Sequence, residues 1–168
     1  MNLFKNIIIW IVIFAVVLVI QTTMLPKIAI LGIYPDLVFL TLFVLALQNG
    51  VMGGIWGGFV VGLLIDVFSG GLLGTNAFAK TIIGGMSGFF EKRNMSVDPI
   101  ILLIFLLLAL IFHDIIIYIF NIYAEHGSIG ELPKLLFFNT LPRAIYTVFV
   151  ATALFIIVDL LIPLKSRR

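Results

Sequence analysis

Five ionisable side chains within long apolar stretches are the residues of this sequence that could do chemistry. They are Asp66, Lys80, His113, Asp114 and Arg143. A charged side chain at the centre of a membrane helix costs about 3 kcal/mol even on insertion scales, so the four charges need partners or water. They therefore indicate either structural ion pairs between helices, or a functional cavity or partner-binding site that opens to the outer side of a membrane.

His113 and Asp114 are neighbours, and a histidine beside a carboxylate could relay a proton. Consecutive residues of a helix point about 100° apart, so we expect these two side chains not to face one another. The sequence has no cysteine, no Gly-x-x-x-x-Gly-Lys loop, no His-Glu-x-x-His and no Gly-x-Ser-x-Gly. It therefore predicts no catalytic residue, no metal site and no cofactor, and we do not expect an enzyme.

The composition places these charges in a membrane protein. Hydrophobic residues make up 62% of the 168 residues and charged residues 11%, with a mean hydropathy of +1.28. Soluble domains are about half apolar and about a quarter charged. The expected fold class is an all-α polytopic membrane protein, with one domain over residues 1–168. The net charge of +2 is small and does not indicate binding to nucleic acid.

Turn signals and charges divide the chain into six apolar segments, each expected to be a transmembrane helix. The predicted helices span about 6–25, 33–47, 51–68, 72–90, 99–123 and 135–164. No small-residue cleavage site follows the first apolar run, so we interpret it as an uncleaved first helix rather than a signal peptide.

The second segment is short, and a half-span that returns to the same side is its alternative. From Pro35 it has about 14 residues, or about 21 Å of helix. Positive charge favours six complete spans, because both termini are then cytoplasmic and only Lys27 and Lys134 lie in outer loops. The basic residues on the inside are then Lys5, Lys92, Arg93, Lys165, Arg167 and Arg168.

In this topology the intramembrane charges share the outer half of the bilayer. Lys80, Asp114 and Arg143 each lie about 12–14 Å below the outer helix ends, and Asp66 lies nearer the surface. We expect Asp114 to pair with Arg143, and Lys80 to pair with Asp66 or Asp114.

Small residues recur at every fourth position in the third and fourth segments. Such stripes let helix backbones approach closely, either within one protein or against a partner's membrane helix. The residues are Gly54, Gly58 and Gly62, followed by Gly84 and Gly88.

Prolines and glycines mark helix ends. Pro35 and Asp36 begin the second helix, with Asp36 as its cap, and Gly50 and Gly74 make turns. Pro142 removes one backbone hydrogen bond from the last helix and predicts a kink there.

The stretch from Pro35 to Gly74 resembles the family of rod shape-determining proteins MreD. The pattern is a Pro-Asp that opens an apolar helix, a glycine turn, a helix of the form Gly-x-x-x-Gly-Phe-x-x-Gly-Leu-x-x-Asp, and a loop with Leu-Gly. In this sequence those positions are Pro35-Asp36, Gly50, Gly54, Gly58-Phe59, Gly62-Leu63, Asp66, Gly70-Gly71 and Leu73-Gly74. Lys80 and the pair His113-Asp114 have no place in the pattern.

The resemblance implies a non-enzymatic scaffold of the bacterial elongation (rod) complex in the cytoplasmic membrane, which maintains cell shape by coordinating peptidoglycan synthesis. It implies binding to MreC, a single-span protein with a periplasmic coiled coil. MreB filaments, a RodA-type glycosyltransferase and a class B penicillin-binding protein would be indirect partners. The implied fold is similar to the S-components of energy-coupling-factor transporters. A vitamin-binding S-component is therefore the alternative function, and it would need a wet pocket with polar and aromatic groups.

Overall fold

Helices account for most of the residues that the structure describes. The computed structural model describes residues 3–91, 98–125 and 129–161. Four helical segments in these ranges are long and apolar enough to cross a membrane: Lys5–Thr23, Leu37–Ser69, Pro99–Ala124 and Leu132–Ile156. We number the helices α1 (Leu3–Thr23), α2 (37–49), α3 (51–69), α4 (Thr75–Gly88), α5 (Pro99–Glu125) and α6 (132–161).

Gly50 divides the segment Leu37–Ser69 into α2 and α3. Its backbone has φ +70° and ψ −168°, a conformation that residues with a side chain rarely adopt. The two helices fold back on each other, because a Cβ added to Gly57 would lie 2.9 Å from a Cδ atom of Leu45. A straight helix would separate these two residues by about 18 Å. Gly50 therefore forms the turn of a helical hairpin.

The second helix begins later than the sequence predicts, at Leu37 instead of 33. Ile30 and Ile33 first exchange two backbone hydrogen bonds of 2.9 Å, which hold the preceding loop in a tight turn. Asp36 then accepts a hydrogen bond from the backbone N–H of Phe39 at 2.8 Å, so it caps the helix.

Other helix ends also differ from the prediction, by one to three residues. α4 begins at Thr75 instead of 72, because Gly74 precedes it with a φ of +96°. α1 ends at Thr23 instead of 25, because Pro26 lies in a separate short 3₁₀ helix, Leu25–Ile28. The predicted end of the last helix, at 164, lies outside the described residues.

α1 lies antiparallel to α2 and is tied to it at both ends. Near one end Asn6 donates a side-chain hydrogen bond to Asn49 at 3.1 Å. Near the other end Gln21 accepts a hydrogen bond from the backbone N–H of Leu37 at 2.9 Å and donates one to the carbonyl of Pro35 at 3.3 Å.

α2 lies at the centre of the bundle, with one apolar cluster on each side. The first cluster joins it to α4, α5 and α6, and its buried members are Phe39, Leu40, Phe43, Leu47, Ile83, Leu106, Ala109, Leu110, Ala144 and Ala151. The second joins it to α1 and α3 through Phe14, Val38, Leu42, Leu45 and Val61. A helix that is apolar on both sides can therefore organise the bundle.

The two glycine stripes face each other where α3 packs on α4. Gly54 and Gly84 lie against each other's backbone, and a Cβ added to Gly62 would lie 2.5 Å from the Cα of Ala77. The same close approach applies to all five glycines expected to pack helices: Gly54, Gly58, Gly62, Gly84 and Gly88. These glycines therefore pack helices within the protein. A partner's helix cannot contact them, because the facing backbone already fills the space.

We predict that Gly58→Ala lowers the free energy of unfolding by about 1–3 kcal/mol. The added methyl group would meet the main chain of Lys80 and Thr81, which cannot move aside as a flexible side chain can. Thermal unfolding in detergent, followed by tryptophan fluorescence, measures the effect. Gly71→Ala is the control, because the nearest atom to a Cβ there is the Ser69 hydroxyl at 3.5 Å. Equal melting temperatures for the two variants would contradict close packing of α3 on α4.

Candidate functional site

Asp66 on α3 binds the start of α4. Its carboxylate accepts hydrogen bonds from the backbone N–H groups of Gly74, Asn76 and Ala77 at 3.0, 3.0 and 3.1 Å, and from the Asn76 side chain at 2.9 Å. The first N–H groups of a helix have no partner within it, and a negative charge is favourable there. Asp66 is therefore a cap supplied by the neighbouring helix, and this role replaces the expected ion pair with Lys80.

Lys80 on α4 is only 2% exposed and contacts two uncharged groups. It donates a hydrogen bond to the Asn76 side-chain oxygen at 3.2 Å, and its Nζ lies 2.8 Å from Nε2 of His113 on α5. Among the described residues no carboxylate lies within ion-pair distance of it. The expected direct pairing with Asp66 or Asp114 is therefore wrong, and histidine takes that place.

His113 and Asp114 contact each other, contrary to the expectation from helix geometry. Nδ1 of His113 lies 3.0 Å from Oδ1 of Asp114. Although the two Cα–Cβ bonds diverge, both side chains are long enough for their ends to converge beside α5. Since the Lys80 ammonium can only donate, Nε2 of His113 is the acceptor, and the Nδ1 proton is donated to Asp114.

Asp114 also receives the guanidinium of Arg143 from α6. The Nη2 group of Arg143 donates to the same carboxylate oxygen that His113 contacts. This is the pair that the sequence predicts. The Asp114 side chain is 14% exposed and that of Arg143 31% exposed, so this pair lies nearer the surface of the bundle than Lys80 does.

Asp36 and Thr147 connect α2 to the same group of residues. The backbone N–H of Asp36 donates to the Thr147 hydroxyl at 3.0 Å, and that hydroxyl donates to the backbone carbonyl of Arg143 at 2.8 Å. The buried Asp36 carboxylate also lies within the electrostatic reach of Lys80 and Arg143. Asp36 is therefore both a helix cap and a neighbour of the buried charges.

These contacts form a continuous chain of hydrogen bonds through five helices, which we call the polar chain. Its members, in order from α3 to α2, are Asp66, Asn76, Lys80, His113, Asp114, Arg143, Thr147 and Asp36. Each charged member has a partner within the protein, so the arrangement can hold the helices together without a ligand. Within the described ranges no group of three metal-ligating side chains occurs.

α6 carries an irregular turn beside the polar chain. Residues Leu136–Thr140 form a π-helical turn that ends two residues before Pro142, the position at which the sequence predicts a kink. Such turns contain an extra residue and often occur at functional sites. The buried Thr140 hydroxyl lies close to the Asp114 carboxylate, without a hydrogen bond of ordinary geometry within the described part of the chain. Thr140 and Arg143 are three residues apart, so they lie on the same side of α6, next to Asp114.

Sequence reasoning missed two members of this arrangement, Asn76 and Thr147, and predicted only part of the role of two others, Asp36 and His113. Asn76 lies four residues before Lys80, and Thr147 lies four residues after Arg143. Helical spacing therefore places each of them on the same helix face as that charged residue. For Asp36 the sequence predicts only a helix cap, and for His113 it predicts a side chain that does not face Asp114. The available signal was a polar side chain four residues away from a buried charge, which is the spacing of neighbours on one helix face.

The apolar helices of membrane length and the buried polar chain define an integral membrane protein. Among such proteins, the chain belongs to the family of rod shape-determining protein MreD, which it matches over residues 1–165. The resemblance seen between Pro35 and Gly74 is thereby confirmed and extends over nearly the whole chain, and it assigns a role in determining rod shape. No curated protein and no solved structure matches the chain, so the similarity in fold to S-components stays a prediction.

We predict that Asp66→Ala frees the start of α4 and lowers the free energy of unfolding by about 2 kcal/mol, the upper end of the range for a single helix cap. Amide hydrogen exchange at Gly74, Asn76 and Ala77 should become faster. Ser69→Ala is the control, because among the described residues the Ser69 hydroxyl reaches only the carbonyl of Asp66, at 3.4 Å, and the N–H of Gly71. Unchanged exchange at these three amides in Asp66→Ala would contradict the capping role.

Proposed function

We propose that the protein is a non-enzymatic scaffold subunit of the bacterial elongation (rod) complex in the cytoplasmic membrane. It binds an MreC-like single-span protein and helps to coordinate peptidoglycan synthesis. Through that partner it works with MreB filaments, a RodA-type glycosyltransferase and a class B penicillin-binding protein. The observation that carries the proposal is the match to the MreD family over residues 1–165.

The internal contacts of the buried charges support a scaffold. The Asp66 carboxylate caps the start of α4. Lys80 contacts His113, and Asp114 pairs with Arg143. The vitamin-binding alternative would need a wet pocket with several polar groups. The cavity between α2, α5 and α6, of about 130 Å³, and the open groove between α1 and α3, of about 850 Å³, are both lined mainly by apolar side chains.

We further infer six membrane spans with both termini in the cytoplasm. The turn at Gly50 supports this topology because it makes two antiparallel helices of the 33-residue segment Leu37–Ser69. The capping of α4 by Asp66 supports a second reversal of the chain between α3 and α4. The basic residues that favour this orientation, apart from Lys5, lie outside the described residues: Lys92, Arg93, Lys165, Arg167 and Arg168.

Six spans predict that Leu73→Cys is labelled from the periplasmic side by a membrane-impermeant maleimide. Leu73 is 73% exposed, and the chain has no native cysteine to give a background. Lys5→Cys is the matched control and should be labelled only after the cells are permeabilised. If the segment Leu37–Ser69 crossed the membrane once, Leu73 would lie on the same side as Lys5. Equal behaviour of the two cysteines would therefore contradict six spans.

The scaffold function is tested in a rod-shaped bacterium depleted of its own MreD-family protein. The depleted cells should become round, and expression of this chain with its MreC-like partner should restore rods and retain that partner during purification. Gly58→Leu should abolish both effects because the side chain cannot fit against α4. Phe149→Leu, at a side chain that is 71% exposed, should preserve both. Co-purification of a vitamin or of a transporter coupling module, without the MreC-like partner, would refute the proposal.

A further inference from the structure

The loop between α1 and α2 contains a tight turn at Leu31 and Gly32. On either side of it Ile30 and Ile33 exchange two backbone hydrogen bonds of 2.9 Å. Both central residues have a positive φ, +53° for Leu31 and +80° for Gly32, as a two-residue type I′ turn requires. Among the described residues, Leu31 is the one residue other than glycine with a positive φ.

This strained position carries a side chain that the protein itself does not cover. At a positive φ the Cβ atom crowds a carbonyl oxygen, so leucine is less stable there than glycine or asparagine. Leu31 is also 96% exposed, so its side chain gains no burial from the fold. A strained backbone that presents an uncovered leucine indicates a contact outside the chain.

We propose that this loop inserts into the surface of the lipid bilayer beside α1 and holds α1 at a fixed depth and tilt. Leu31 and its exposed neighbours Met24, Ile28 and Ile30 enter the boundary between headgroups and acyl chains, and Lys27 binds lipid phosphate. This contact requires only that α1 and α2 cross the membrane, so it is independent of the scaffold function.

The ends of α1 and α2 place the loop at the edge of the hydrocarbon core. The apolar span Lys5–Thr23 has 19 residues and is about 28 Å long, close to the core thickness of about 30 Å. Met24 follows directly and is 62% exposed, so the exposed apolar surface of α1 continues into the loop. Gln21 binds the backbone of Pro35 and Leu37 and keeps the other end of the loop at the same level.

The residues of the loop fit a lipid surface better than a protein pocket. Large apolar side chains together with a basic residue are typical of segments that lie in a membrane interface. Lys27 is exposed, and its alkyl chain can lie along the apolar surface while the ammonium group reaches the phosphates. The exposed apolar side chains are spread over residues 24–31 instead of being confined to the tip, so a broad surface covers them better than a pocket does.

An anchor of this kind would position α1, which has little other packing to hold it. Of its described side chains only Phe14 is buried, and its polar contacts lie near its ends, at Asn6 and Gln21. The tilt of a membrane helix is set by packing against neighbouring helices and by anchors at the interface. Leu25, which is 4% exposed, fixes the loop to the protein, so insertion of the loop is transmitted to α1.

A nitroxide spin label on Ile30→Cys measures the depth of the loop. The chain has no native cysteine, and the Ile30 side chain is 63% exposed. In proteoliposomes of phosphatidylcholine and phosphatidylglycerol, the label's collision rate with oxygen, relative to a water-soluble nickel complex, rises with depth. Leu73→Cys, 73% exposed between α3 and α4, is the matched control. The ratio should be at least about fivefold higher for Ile30→Cys. Equal ratios would overturn the proposal.

Leu31→Asn tests the leucine side chain without disturbing the turn, because asparagine adopts a positive φ readily. In this variant the collision ratio at Ile30→Cys should fall about fivefold, to the value at Leu73→Cys, whereas Leu73→Asn should leave it unchanged. An unchanged ratio in Leu31→Asn would refute anchoring by Leu31. A label that is exposed to water in proteoliposomes but immobilised in native membranes would show that a protein covers the loop, and would overturn the assignment to lipid.

Discussion

The polar chain is the constraint on which the arrangement of the helices depends. Hydrocarbon offers no hydrogen bonds, so each charge buried in the bundle has to find its partner on a neighbouring helix. Asp66 thereby fixes α3 to α4, Lys80 and His113 fix α4 to α5, and Asp114 with Arg143 fixes α5 to α6. Breaking one of these links leaves an uncompensated charge in an apolar environment, and that cost makes the set cooperative.

The glycine contact makes the first of these links possible. Gly62 on α3 lies against the backbone of Ala77 on α4, at a distance that leaves no room for a side chain. Asp66 follows Gly62 by about one helical turn, so its carboxylate arrives directly at the free N–H groups of α4. A wider separation would leave that helix end without its acceptor. The capping of α4 by Asp66 therefore depends on the close packing of α3 and α4 at Gly62.

The sequence predicted the helices, the turn at Gly50, the cap at Asp36 and the pair of Asp114 with Arg143. These features depend on local patterns, or on two opposite charges at the same depth. The partner of Lys80 was not predictable in this way. Asp66, Asp114 and His113 all lie on neighbouring helices, close enough in depth for a lysine side chain to reach any of them. The choice among them depends on how α4 is rotated against α3 and α5. Contacts between backbones at glycines determine that rotation, and periodicity alone cannot specify it.

The short length of α4 has a consequence for the surrounding lipid. Its 14 residues are about 21 Å long, against about 30 Å for the hydrocarbon core. In the proposed six-span topology the bilayer has to become thinner beside α4, at a cost of a fraction of a kcal/mol for each ångström. That hydrophobic mismatch makes the fold sensitive to acyl-chain length. Proteins that thin the bilayer in the same way share the deformation when they lie side by side, so the membrane itself favours their assembly.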